Sequence, residues 1–391
     1  MVSERFRIDS SAPELPLTEK RSSVAMSGEQ TPLLREPASI PASRPLTHHK
    51  QTSQPNPLTT LRFPAAAAAA ASTSQSRPMP QTIAHRGFKS AAPENTMLAF
   101  RAAVEAGAHA IETDLHLSKD GVVVLCHDET LARCYGDEAK VCERDWDYLK
   151  TLRTLRRPEQ PLPRFSDLLE YLAKPGLEGV WVMLDVKMHD DAEEIMRRTA
   201  ETIASVPSKR PWSERLTACC WNATYIKLSQ KHLPGYPITH VGWSAAYARQ
   251  LVHVPNISFS MLRHTLASPC SRHFLRDMKR QGVSVHVWTV NEEDWMEWSV
   301  RRGLSGVITD EPKLFREVCE RMGRKGEEVD SEGGGGGQMA FKRRSRVRSW
   351  GKKTRFWMEM VAYHVGLLVW VVISWVKHGS PKAHVRRVLE G

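Results

Sequence analysis

Residues 83–128 read IAHRGFKSAAPENTMLAFRAAVEAGAHAIETDLHLSKDGVVVLCHD. An apolar run closes in His85 and Arg86, a stretch with helical spacing fills 97–106, and two further apolar runs cover 110–115 and 122–126. Strand, crossover helix and strand is the unit from which parallel sheets are built. The turn Ser118-Lys119-Asp120-Gly121 predicts that the last two runs pair as a hairpin, making one of them an accessory strand. Glu112 and Asp114 stand two apart, so strand alternation puts both carboxylates on one face.

The same alternation continues downstream. Apolar, β-branched runs recur at 180–186, 216–221, 238–243, 257–261, 283–290 and 306–309, with helix-compatible stretches at 192–203, 272–281 and 295–302. With 82–84, 110–115 and 122–126 this makes nine strand candidates, of which eight suffice for an α/β barrel. A doubly wound open sheet is the alternative, but no glycine-rich dinucleotide turn follows the first strand.

In a barrel of this kind reactive groups emerge at the C-terminal ends of the strands. The runs here end in His85 and Arg86, Glu112 and Asp114, His127 and Asp128, Asp185 and Lys187, Asn291, and Asp310. Three carboxylates with no cysteine or histidine among them suit a hard divalent cation, Mg2+ or Ca2+. A charge inside an apolar run is costly unless paired, which argues against incidental strand-end acids. Two histidines on separate strands can act as acid and base across a phosphorus centre. Either alone reads as a packing residue, but Arg86 and Lys187 beside them can neutralise charge on a phosphate. His109, His116, His189 and His286 are read as surface or packing residues.

The motifs HRG (85–87), PENT (93–96), IETD (111–114), DG (120–121), HD (127–128), LDVK (184–187), WTVN (288–291) and ITDEP (308–312) together resemble the glycerophosphodiester phosphodiesterase family over residues 82–320. The resemblance implies a TIM-type (β/α)8 barrel at 81–322 and a metal-dependent phosphoric diester hydrolase. It implies His85 and His127 as the catalytic pair, Glu112, Asp114 and Asp185 as metal ligands, Arg86 and Lys187 as phosphate contacts, and Trp288 and Asn291 as substrate contacts. Asp185 departs from the glutamate common at its position, and its shorter arm must bring the metal closer to its strand or leave a coordination place to water. Aspartate there, together with the phrases around 85–100 and 110–128, is similar to the fungal phosphatidylglycerol-specific phospholipase C branch. That branch implies diacylglycerol and glycerol phosphate as products. A membrane-tethered enzyme acting on soluble glycerophosphodiesters is the alternative, and an inactive lipid-binding barrel the second.

Outside the barrel the composition changes. Residues 1–80 are rich in Ser, Pro, Thr and Gln without sustained periodicity and read as a disordered extension; the first thirty lack the apolar core of a secretory signal. The seven cysteines are scattered and show no zinc-knuckle spacing. A net charge of +11 raises the question of nucleic acid, but much of the excess lies in the Gly-rich and basic linker 323–355, just before FWMEMVAYHVGLLVWVVISWV at 356–376. That position favours a membrane surface over a nucleic-acid groove. The apolar stretch approaches bilayer thickness and carries flanking Trp and basic residues, although Glu359 and His364 are expensive at depth. A tail anchor is the first reading and an interfacial helix the second, followed by a short basic tail at 377–391. Either leaves the barrel facing the cytosol, on the mitochondrial outer membrane, the endoplasmic reticulum or a lipid droplet. The oligomeric state is not legible.

Overall fold

The computed structural model describes residues 78–269, 271–331 and 381–390. The extension at 1–77 and the expected membrane helix at 356–376 lie outside the described residues. Among the described residues, no helix is long and apolar enough to cross a membrane.

Among the described residues nine strands form: β1 (Gln81–His85), β2 (Ala110–Leu117), β3 (Val123–Leu125), β4 (Trp181–Val186), β5 (Leu216–Cys220), β6 (Ile238–Gly242), β7 (Ile257–Leu262), β8 (Val285–Trp288) and β9 (Gly306–Thr309). Eight are parallel and close a ring in the order β1, β2, β4, β5, β6, β7, β8, β9, with β9 returning to β1. β3 pairs antiparallel with β2 outside the ring, as the hairpin turn predicted. The fold is thus a TIM-type barrel. Gly121 sits at φ +80° in that turn, a conformation costly for any residue with a Cβ.

The outer layer includes α1 (Met97–Glu105), α2 (Phe165–Leu172), α3 (Ala192–Ser205), α4 (Ala223–His232), α5 (Ala245–Gln250), α6 (Ser271–Arg280), α7 (Glu293–Arg302) and α8 (Pro312–Ser331). Each strand presents one face to these helices and the other to the barrel interior, so the strands are buried almost throughout. The layer between strands and helices is a continuous apolar cluster that includes Phe100, Phe165, Phe259, Phe274 and Phe315. A smaller cluster of Ile83, Ala110, Trp181, Met183, Cys219, Val241 and Ile308 plugs the barrel interior beneath the mouth. The residues after the expected membrane segment add a feature not read from the sequence: α9 (Pro381–Glu390) packs on α4 and α5, with Val385 buried.

Register sets the heights of the polar side chains. His85 of β1 is level with Glu112 of β2, and Asp114 is level with Asp185 of β4. The acids therefore meet at the C-terminal end of the ring, above the apolar plug.

Candidate active site

The chain after β1 turns sharply through Arg86 (φ +56°) and Gly87 (φ +82°). A Cβ on Gly87 would lie 2.7 Å from the carbonyl carbon of Ala99, so glycine is what lets the turn press against α1. The turn aims the Arg86 amide at Glu112 Oε2 (2.9 Å). The next loop secures the pair: Glu94 accepts from Arg86 Nη1 at 2.7 Å, Asn95 Nδ2 donates to Asp114 Oδ2 at 2.7 Å, and Thr96 caps α1 by accepting from Ala99 N. Each polar residue of the PENT motif thus has a separate structural task.

Glu112, Asp114 and Asp185 converge, with one oxygen from each lying within 4.8 Å of the others, and all three are buried. Lys187 Nζ bridges two of them, 2.6 Å from Asp114 Oδ1 and 2.7 Å from Asp185 Oδ2. Burial opposes the charge on Lys187, but the two acids outweigh it and hold the ammonium protonated. Asp114 is held well below the usual carboxylate range: burial opposes its ionisation, and Lys187 and Arg86 overcome it. Glu112 goes the other way. Burial and the charges of Asp114 and Asp185 raise it well above its ordinary value. Three buried carboxylates sharing too little positive charge form a donor set that fits a hard divalent cation, and all the donors are oxygens.

The two histidines line the same cleft, each with a carboxylate on Nδ1. His85 Nδ1 is 2.6 Å from Asp310 Oδ1, and His127 Nδ1 is 2.7 Å from Asp128 Oδ1. Such a partner fixes tautomer and ring orientation and leaves Nε2 for chemistry. Burial lowers both imidazoles below the ordinary histidine value, against the opposing pull of the acids.

The cleft, about 540 Å3 including the part open to solvent, is lined by His85, Arg86, Glu112, Asp114, His127, Asp185 and Lys187. Trp221 and Trp288 line it too, their rings 5.9 Å apart and edge to face, with Trp243 5.7 Å from Trp221. Charged and aromatic side chains thus share the cleft.

Of the nine residues singled out from sequence, eight line the cleft and Asn291 does not. Its side chain is turned to Asp310, donating to Oδ2 (2.8 Å) and accepting from the Asp310 amide (2.8 Å). Arg86 and Lys187 reach the cleft already paired with acids; Arg86 Nε lies 3.3 Å from Asp114 Oδ2. The sequence reading named Glu94 and Asn95 only within the PENT motif and gave no role to Arg133 or Trp221. Arg133 ties Glu94 to Asp128, donating to each. Asp128 and Asp310 were visible as acids at strand ends but had no role until the folded chain set them behind the histidines. His116 also gains company: Asp190 holds its Nδ1 at 2.7 Å and His189 stacks on it, joining the end of β2 to the loop after β4.

The sequence model of the glycerophosphoryl diester phosphodiesterase family matches residues 85–314. Among individual proteins, a glycerophosphodiester phosphodiesterase of Caldanaerobacter subterraneus is 26% identical over 251 residues, covering 62% of this chain and 98% of its own. Glycerophosphodiester phosphodiesterase 1 of Rattus norvegicus is 26% identical, covering 58% of this chain and 77% of its own. A solved phosphodiesterase of Oleispira antarctica, in complex with the product sn-glycerol-3-phosphate, superposes with a TM-score of 0.55 at 22% identity, covering 62% of this chain and 97% of that one.

Proposed function

Because this chain belongs to the glycerophosphoryl diester phosphodiesterase family and is a phosphoric diester hydrolase, we propose that it cleaves glycerophosphodiesters with a divalent cation held by Glu112, Asp114 and Asp185, and that its substrate is phosphatidylglycerol. The observation that carries the chemistry is the pair of carboxylate-backed histidines lining the same cleft as the acid cluster. Glu112, Asp114 and Asp185 would hold the cation, which when bound would supply Lewis-acid stabilisation of charge on the phosphoryl group. His85 and His127 move the protons: one takes the proton from a glycerol hydroxyl vicinal to the phosphate as that oxygen attacks phosphorus, and the other protonates the departing diacylglycerol oxygen. A cyclic glycerol phosphate results, and water opens it with the histidine roles reversed. Nucleophile and phosphorus belong to one molecule, so attack has the advantage of proximity. Arg86 and Lys187 balance negative charge beside the reacting centre.

Two observations support a lipid substrate. Trp221 and Trp288 bring aromatic surface into the cleft beside the charges, and the apolar, Trp-flanked sequence at 356–376, which follows a basic block, is suited to membrane association. A soluble deacylated substrate uses the same catalytic groups, and the relative with sn-glycerol-3-phosphate as product favours that reading. The test compares rates on phosphatidylglycerol vesicles and on the deacylated glycerophosphoglycerol. Faster turnover of the vesicles, with phosphatidylcholine left intact, supports the lipid reading; turnover of the deacylated compound alone overturns it.

A further inference from the structure

We infer that Trp221 is a positioning residue for the cation site, acting through Asp185. The two carboxylate oxygens of Asp185 have different partners. Oδ2 accepts from the Lys187 ammonium at 2.7 Å, and Oδ1 accepts from the Trp221 indole Nε1 at 2.6 Å. Asp185 is level with Cys219 on the neighbouring strand, so Trp221, two residues further along at the end of β5, leans over the carboxylate from the side. Trp243 and Trp288 pack against its ring and hold it there.

The terminal torsion of an aspartate is broad and two-fold, and one hydrogen bond leaves it room to swing. Donors on both oxygens remove that freedom. They respond differently to a cation, however. The Lys187 ammonium is repelled by a divalent ion arriving among the same acids, whereas the neutral indole is not. Trp221 is therefore the restraint on Asp185 that persists when the site is filled. An ordered acid loses less entropy on binding a cation than a free one does, and partners that orient a ligating group carry a measurable share of metal affinity.

Resting as it does on the three acids holding a divalent cation, the inference is tested by titrating the full-length protein with Mg2+ in a calorimeter, without substrate. Trp221→Phe keeps an aromatic ring between Trp243 and Trp288 and removes the donor; we expect it to weaken Mg2+ binding about 10-fold. Trp221→Gln carries an amide nitrogen the same number of bonds from Cβ as the indole nitrogen, and should bind Mg2+ more tightly than Trp221→Phe even if it packs less well. In an Asp185→Asn background, Trp221→Phe should weaken binding no further. Unchanged affinity in Trp221→Phe, or additive losses in the double variant, overturns the inference and leaves the cation site standing. A wild-type protein that takes up neither Mg2+ nor Ca2+ overturns both.

Discussion

Glu94 is the most heavily used acid outside the cation cluster, and its removal gives a prediction with a magnitude. Its side chain is 10% exposed, and it accepts from Arg86 Nη1 at 2.7 Å and from Arg133 Nη2 at 2.7 Å, with Lys89 Nζ 3.8 Å away. Burial opposes its ionisation, but the hydrogen bonds and charges of Arg133 and Arg86 bring it from 4.5 down to about 2. At about 1.36 kcal/mol per tenfold change in proton affinity, that depression is worth ~3 kcal/mol to the ionised folded state. Arg133 is half exposed, so solvent screening reduces the figure toward ~2 kcal/mol. A carboxyl with a depressed folded value stabilises fully above its unfolded value and loses that contribution as pH falls through the folded one. Glu94→Gln should therefore be less stable than wild type by about 2–3 kcal/mol at pH 7, and the gap should shrink to roughly half at pH 3. Urea unfolding of both proteins at pH 7, 5 and 3 measures it. A gap below ~1 kcal/mol at pH 7, or one that stays constant down to pH 3, refutes the account of Glu94 as the charge that pins Arg86 in place.

Replacing Asp310 by Asn should lower kcat by about 10²–10³-fold by freeing the His85 ring. It should also move the pH-rate limb that reports on His85 to lower pH, since the acid that opposes the effect of burial on His85 is gone; an alkaline shift contradicts the assignment. Because burial lowers both His85 and His127, their neutral forms should persist below pH 6.5, and the acidic limb of kcat/KM should fall below that of free imidazole. Chelation should stop turnover without unfolding the barrel, because Lys187 already balances part of the acid charge; calorimetric melting with and without EDTA checks this. Lys187→Met should cost the cation-free protein about 3–5 kcal/mol in urea unfolding by leaving Asp114 buried and short of a partner.

The alternation of apolar runs and helical stretches carried most of the fold, because every strand of a covered parallel barrel is buried and so reads as apolar. The hairpin at 118–121 was legible from its turn residues alone, and with it the demotion of β3 to an accessory strand. Short helices such as α5 escaped notice, since their buried residues are too few to set up a period. The cleft was legible where a residue ended a strand, which marked His85, Glu112, Asp114, His127, Asp185 and Lys187. What lay behind these residues was not, because Asp310 is 225 positions from His85 and only the closure of β9 on β1 makes them neighbours. Trp221 closed the apolar run 216–221 and carried no role, since nothing in the sequence places its indole on Asp185. Asn291 was expected as a substrate contact from the family resemblance; its amide bonds Asp310, a pairing no sequence pattern shows.

The docking of α9 ties residues 381–390 to the outer layer of the barrel through α4 and α5. The latch is small. Burying Val385 contributes on the order of 1.5–3 kcal/mol, so a substitution such as Val385→Asp would release α9 from α4 and α5 while leaving the ring of strands closed.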